Sequence, residues 1–107
     1  MQAVTRPSES PRARPQIRAV SFTSATMRSG RAAVLRIDCT GVEPDEIRCE
    51  AARPGFSVET TPRRVRDGRH ILVSLRIHRT PQAPKALCLV RVSAGSTSAL
   101  ASITVLH

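Results

Sequence analysis

The sequence predicts an all-β protein, and two observations carry the prediction. Short stretches of alternating apolar and polar residues recur from Gln16 to His107, separated by turn residues roughly every 8–12 positions. No stretch keeps a helical period over three turns. About seven such strands in one chain of this length suit a single immunoglobulin-like β-sandwich. A sandwich of this kind is a scaffold, so function is expected on its loops and outer faces rather than in a built-in pocket.

Taken in order, residues 1–15 combine Pro7, Pro11 and Pro15 with Arg6, Arg12, Arg14 and several Ser. They are expected to form a basic, disordered arm ahead of a sandwich spanning 16–107. Residues 17–22 are the first expected strand, and a polar link follows, ending at Ser29 and Gly30. Residues 31–39 alternate most cleanly: Ala33, Leu35, Ile37 and Cys39 share one face, Arg36 and Asp38 the other. Thr40-Gly41 and then Glu43-Pro44-Asp45 turn the chain into a strand over 46–52, with Ile47, Cys49 and Ala51 inward.

Pro54-Gly55 leads into a short edge strand over 56–60. Residues 62–69 are expected to be a loop carrying Arg63, Arg64, Arg66 and Arg69, with Asp67-Gly68 as its turn. A strand over 70–78 places Ile71, Val73, Leu75 and Ile77 inward and His70 and His78 outward. A Pro-bounded connection over 80–84 reaches a strand over 86–93. Ala94-Gly95-Ser96 makes a hairpin turn, and a strand over 98–106 closes the domain.

Composition narrows the functional classes. With no Trp or Tyr, Phe22 and Phe56 are the sole aromatic rings. Ligand stacking of the kind used by sugar-binding modules and single-strand nucleic-acid binders is therefore disfavoured. The formal charge of +9 comes from sixteen Arg and one Lys against eight acids. Such an excess suits a polyanionic partner, whether nucleic acid, anionic lipid or an acidic protein. The same Arg-over-Lys bias is also what a GC-rich genome produces on any solvated surface. No apolar run reaches about 18 residues, so no transmembrane helix is expected. The first 15 residues lack the apolar core of a secretory signal. The protein is expected to stay in its cell of synthesis, to be virion-associated, or to be a piece of a longer surface protein.

Gly30 ahead of the second strand, the Thr40-Gly41 strand end, the Gly-Phe-Ser-Val run from Gly55 to Val58, the Asp67-Gly68 turn, and the closing Ser-Ala-x-Ala-x-x-x-Val strand from Ser98 to Val105 form one set. Together they resemble the IPT/TIG-type immunoglobulin-like domains of bacterial surface and multidomain proteins. The resemblance spans about residues 15–106. It implies a non-catalytic domain that mediates protein contacts or acts as a spacer, in a surface appendage, a virion, a bacterial or phage assembly, or a multidomain protein. A few such domains contact DNA.

Cysteine usage leaves two alternatives. Immunoglobulin domains often tie their second strand to their sixth, which would pair Cys39 with Cys88. Those strands run parallel, yet Cys39 ends one and Cys88 begins the other, so the two belong to different layers. Cys39 and Cys49 flank one turn and form the better pair by reach. The count of three is odd, and buried free thiols are common. No Cys or His spacing suits zinc, and no cofactor or small-molecule substrate is expected. No Gly-x-Ser-x-Gly elbow, Cys–His pairing or P-loop is present, so an enzyme is not expected.

Two surfaces remain. Arg63, Arg64, Arg66 and Arg69, with the basic arm, could grip phosphates by bidentate contacts. On the last two strands, Cys88, Val90 and Val92 inward would put Leu87 and Leu89 outward. Ala99, Ala101, Ile103 and Val105 inward would likewise expose Leu100 and Leu106. Four leucines on one outer face would make a docking or self-association patch. A contact module using that patch is the first expectation, and polyanion binding by the arginines the second.

Overall fold

Along the central strands every second side chain is buried, as alternation demands. The computed structural model describes residues 14–107, with the backbone alone for Thr61 and Pro62. The expected arm over 1–15 lies outside the described residues apart from Arg14 and Pro15. Among the described residues eight strands form: β1 (Gln16–Phe22), β2 (Thr26–Arg28), β3 (Ala32–Thr40), β4 (Arg48–Ala51), β5 (Phe56–Asp67), β6 (His70–Arg79), β7 (Leu87–Ala94) and β8 (Thr97–Leu106). A single 3-10 turn, Pro44–Glu46, stands between β3 and β4.

The strands make two four-stranded sheets, ordered β1-β3-β6-β5 and β2-β8-β7-β4. All pairings are antiparallel except that of β2 with β8. In immunoglobulin lettering this is A-B-E-D packed on A′-G-F-C, an all-β sandwich of immunoglobulin-like topology. The core lies between the sheets. Leu35, Ile37, Ile71, Val73, Leu75 and Ile77 come from the first, and Cys88, Val90, Val92, Ile103 and Val105 from the second, all with 1% exposure or none. Burying one such Leu, Ile or Val contributes about 1.5–3 kcal/mol. Val42 and Ile47, from the β3–β4 connection, seal one end of this core.

Two expectations are corrected. The link after the first strand is not wholly irregular, because Thr26–Arg28 forms β2. One buried side chain, Met27, is too short a pattern to show periodicity. The strand exists because the chain crosses between sheets there, and the end of β8 offers its backbone: Thr104 N–H donates to Ala25 O at 3.1 Å and Ser29 N–H to Leu106 O at 2.7 Å.

The second correction concerns the arginine-rich stretch. The expected short strand and residues 62–67 of the loop after it are one strand, β5, paired with β6 as far as Asp67, and the turn is confined to Gly68 and Arg69. Thr60 pairs with Leu75 and Arg64 with Val73, so residues 61–63 face Ser74 alone. Pro62, which has no N–H to donate, falls in this bulge on an edge strand, where Pro is tolerated. Three residues against one leaves an excess of two, so side-chain parity survives the bulge. Phe56, Val58, Arg64 and Arg66 lie on the core side, and Arg63, Val65 and Asp67 on the outer side.

Candidate interaction surface

The pairing of β7 with β8 sets the outer face of the second sheet. Leu87 faces Thr104, Leu89 faces Ser102, and Leu100 faces Arg91. Leu106 lies two positions past Thr104, so Leu106, Leu87, Leu89 and Leu100 run as one diagonal band with steps of about 7–8 Å. Leu87 is 38% exposed, Leu100 53% and Leu106 41%, while Leu89 is half-buried. All four expected leucines therefore share this face, three of them open to solvent.

The band is set among cations. Arg91 on β7 and Arg48 on β4 point outward from the same sheet, and Arg28 on β2 stands beside Leu106. Arg28 donates to the main-chain oxygen of His107 at 3.1 Å. Lys85 and Arg53 stand at the end of the band near Leu87. Among the described residues the one side-chain carboxylate on this face is Glu50, directly across from Arg91.

That end of the band is concave. Arg53, Pro54, Phe56, Pro84, Lys85 and Leu87 line a cleft of about 240 Å³. Its lips are the β4–β5 turn and the β6–β7 connection, tied together by Thr80 N–H donating to Gly55 O at 2.9 Å. Gly55 has φ +89°, and a Cβ there would meet Ala83 Cβ at 2.7 Å. Glycine is what lets the lips approach so closely. Arg79 fastens the far lip, donating to Val105 O at 3.0 Å and Ala83 O at 3.4 Å.

The first sheet has a second apolar patch that sequence reading missed. Val34, Val65 and Leu72, with Arg63 and Ser74, line an open hollow of about 360 Å³. Val65 reaches this face only because β5 continues through the stretch expected to be a loop. Charges here are close to balance: Arg36, Arg63 and Arg76 share the face with Asp38, Glu59 and Asp67, and Arg69 stands at its edge. Glu59 lies 3.8 Å from His78, and Asp38 lies 3.7 Å from Arg69.

The four arginines expected to grip phosphate do not share a surface. Arg63 faces the hollow. Arg64 and Arg66 turn to the other side of β5, where Arg64 donates to Pro44 O at 3.0 Å and Arg66 to Val42 O at 2.6 Å. Arg66 also lies 3.8 Å from Glu43. Arg69 sits in the β5–β6 turn beside Asp38.

Cys39, Cys49 and Cys88 are all free thiols, which resolves the alternative left open above. Burial pushes Cys49 and Cys88 up to about 11, against a weaker opposing pull from Arg64 and Arg53 respectively. Cys39 is raised by burial as well, partly offset by Arg66. Thiols held protonated in this way are poor nucleophiles. Among the described residues no group of three or more His, Cys, Asp or Glu is placed to hold a metal. Among the same residues no helix is long and apolar enough to cross a membrane.

Comparison with family models, curated proteins and solved structures finds no match to the chain. The two-sheet architecture is compatible with the immunoglobulin-like fold at a coarse level, and no named family has support beyond it.

Proposed function

We propose that the protein is a non-catalytic structural or interaction module that works by contact, docking through the outer face of β2-β8-β7-β4. The observation that carries this reading is the exposure of Leu87, Leu100 and Leu106 together on one face. Large apolar side chains grouped in this way mark contact sites more often than scattered ones do. The resemblance to IPT/TIG-type domains supports the same role, as a component of a surface, virion or multidomain assembly. Polyanion binding through Arg63, Arg64, Arg66 and Arg69 is the less favoured reading. Two of those guanidinium groups are already committed to main-chain oxygens.

The test is site-specific photocrosslinking in the native host. A photoreactive residue at Leu100 should give a defined protein adduct that disappears when Leu89→Asp is added. The same residue at Val65 should give none. Equal adducts from both faces, or an adduct at Leu100 indifferent to Leu89→Asp in a folded variant, would refute the assignment of the face.

A further inference from the structure

We infer that the partner of this face is an acidic protein segment carrying a large apolar anchor, and that the anchor seats in the cleft between Pro54 and Pro84. The inference rests on the contact reading above and adds the chemistry of the partner. The cleft is lined by two apolar side chains, Phe56 and Leu87, by two prolines, and by the cations Arg53 and Lys85. An apolar side chain fills such a space, and carboxylates flanking it meet the two cations. Beyond the cleft, Arg91, Arg48 and Arg28 continue the positive field along the leucine band, with Glu50 the single side-chain carboxylate there among the described residues. A partner that buries the leucines must also neutralise these cations, and acidic residues do so without leaving unpaired charge.

A second copy of the chain fits poorly in either mode. Face-to-face pairing would set Arg28, Arg48, Arg53, Lys85 and Arg91 against the same set. Head-to-tail pairing would need an acidic apolar element. The acidic turn Pro44–Glu46 has no large exposed apolar residue near it in sequence, since Val42 and Ile47 are buried. The first sheet's outer face has Val34 and Val65 exposed, but its charges are close to balance, so it offers no matching field.

The experiment is an NMR titration of the isotopically labelled full chain with four probes. They are capped hexapeptides Glu-Asp-Leu-Phe-Asp-Glu, Gln-Asn-Leu-Phe-Asn-Gln and Glu-Asp-Ser-Ser-Asp-Glu, and a six-nucleotide thymidine oligonucleotide. The acidic apolar peptide should shift amides at 53, 55–56, 85–91 and 100–106, saturating at about 0.1–1 mM. The other three should bind at least about tenfold more weakly, and the folded Arg53→Glu/Lys85→Glu variant should weaken the first peptide about tenfold.

Equal binding of the Gln/Asn peptide would remove the acidic requirement and leave the docking face standing. Equal binding of the Ser-Ser peptide, or tighter binding of the oligonucleotide, would overturn the inference in favour of simple polyanion attraction. Shifts confined to other surfaces, or none by about 1 mM, would also overturn it. The crosslink at Leu100 judges the face independently of every one of these results.

Discussion

Replacing Arg64 and Arg66 together by Met should destabilise the domain, where a phosphate-gripping role would change only its charge. Met keeps most of the aliphatic stem and removes the guanidinium, so packing is largely preserved. Arg66 donates to Val42 O at 2.6 Å and Arg64 to Pro44 O at 3.0 Å, tying edge strand β5 to the connection that seals the core with Val42 and Ile47. Hydrogen bonds to charged groups contribute about 1.5–3 kcal/mol when shielded. The Arg66 side chain is 43% exposed, which lowers its share to about 1 kcal/mol. The Nε of Arg64 is buried without a partner, an existing cost that also lowers the net loss to about 1 kcal/mol. The ion pair with Glu43, whose side chain is 64% exposed, adds little.

The double variant should thus lose about 2 kcal/mol, a drop in Tm of about 8–16 °C for a domain of this size. Calorimetry and far-UV circular dichroism would read it. Arg18→Met/Arg31→Met is the control, because it removes the same charge from exposed side chains. It should stay within about 0.5 kcal/mol of the parent. A double variant at 64 and 66 melting within about 2 °C of the parent would refute the structural role and return both arginines to the polyanion reading.

Two further outcomes follow from the same geometry. Gly55→Ala should lose about 3 kcal/mol, from a left-handed φ plus overpacking against Ala83 Cβ at 2.7 Å and Cα at 2.9 Å. Gly95→Ala, with φ +62° and nothing within 4 Å, should lose only about 1 kcal/mol. Urea midpoints rank the pair, and equal losses would refute the close approach of the cleft lips. The thiols set an alkaline limit. Cys49 and Cys88 titrate at about 11 in the folded chain against 9.0 ordinarily, so between those values the unfolded chain releases protons that the folded chain keeps. Stability from these groups is full below about pH 9 and is lost as pH rises through about 11. The chain has no Tyr, and Cys39, whose thiol burial also raises, is a third contributor in this range. Urea titrations across that range should show the fall, and a Cys49→Ala/Cys88→Ala variant should lose most of it; an unchanged fall would refute the assignment.

Much of the fold is legible because alternation is a local property. In β3, β6, β7 and β8 the inward residues are apolar apart from Arg79 and Thr97 at strand ends, and most outward neighbours are polar, so strand and face both follow from the order of residues. The outward direction of Leu87, Leu89, Leu100 and Leu106 follows in the same way, since the inward set fixes the register. Where local pattern and pairing disagree, the sequence misleads. Residues 62–69 look like a loop because Pro62 and four arginines hide the alternation, yet β6 presents a backbone edge that draws 62–67 into strand and leaves only Gly68 and Arg69 as the turn.

The order of residues is thus enough for the all-β class, most of the inward set and the basic charge. Packing of distant strands is needed for β2 to exist, for Arg64 and Arg66 to turn away from Arg63, and for Arg53 and Lys85 to meet across a cleft with Leu87. The physical reason is that a side chain's face is set by its own strand, whereas its hydrogen-bond partner and the charge beside it come from segments distant in the chain. Leu87 and Arg53 are 34 residues apart (87 − 53) and become neighbours only when β4, β5 and β7 have packed.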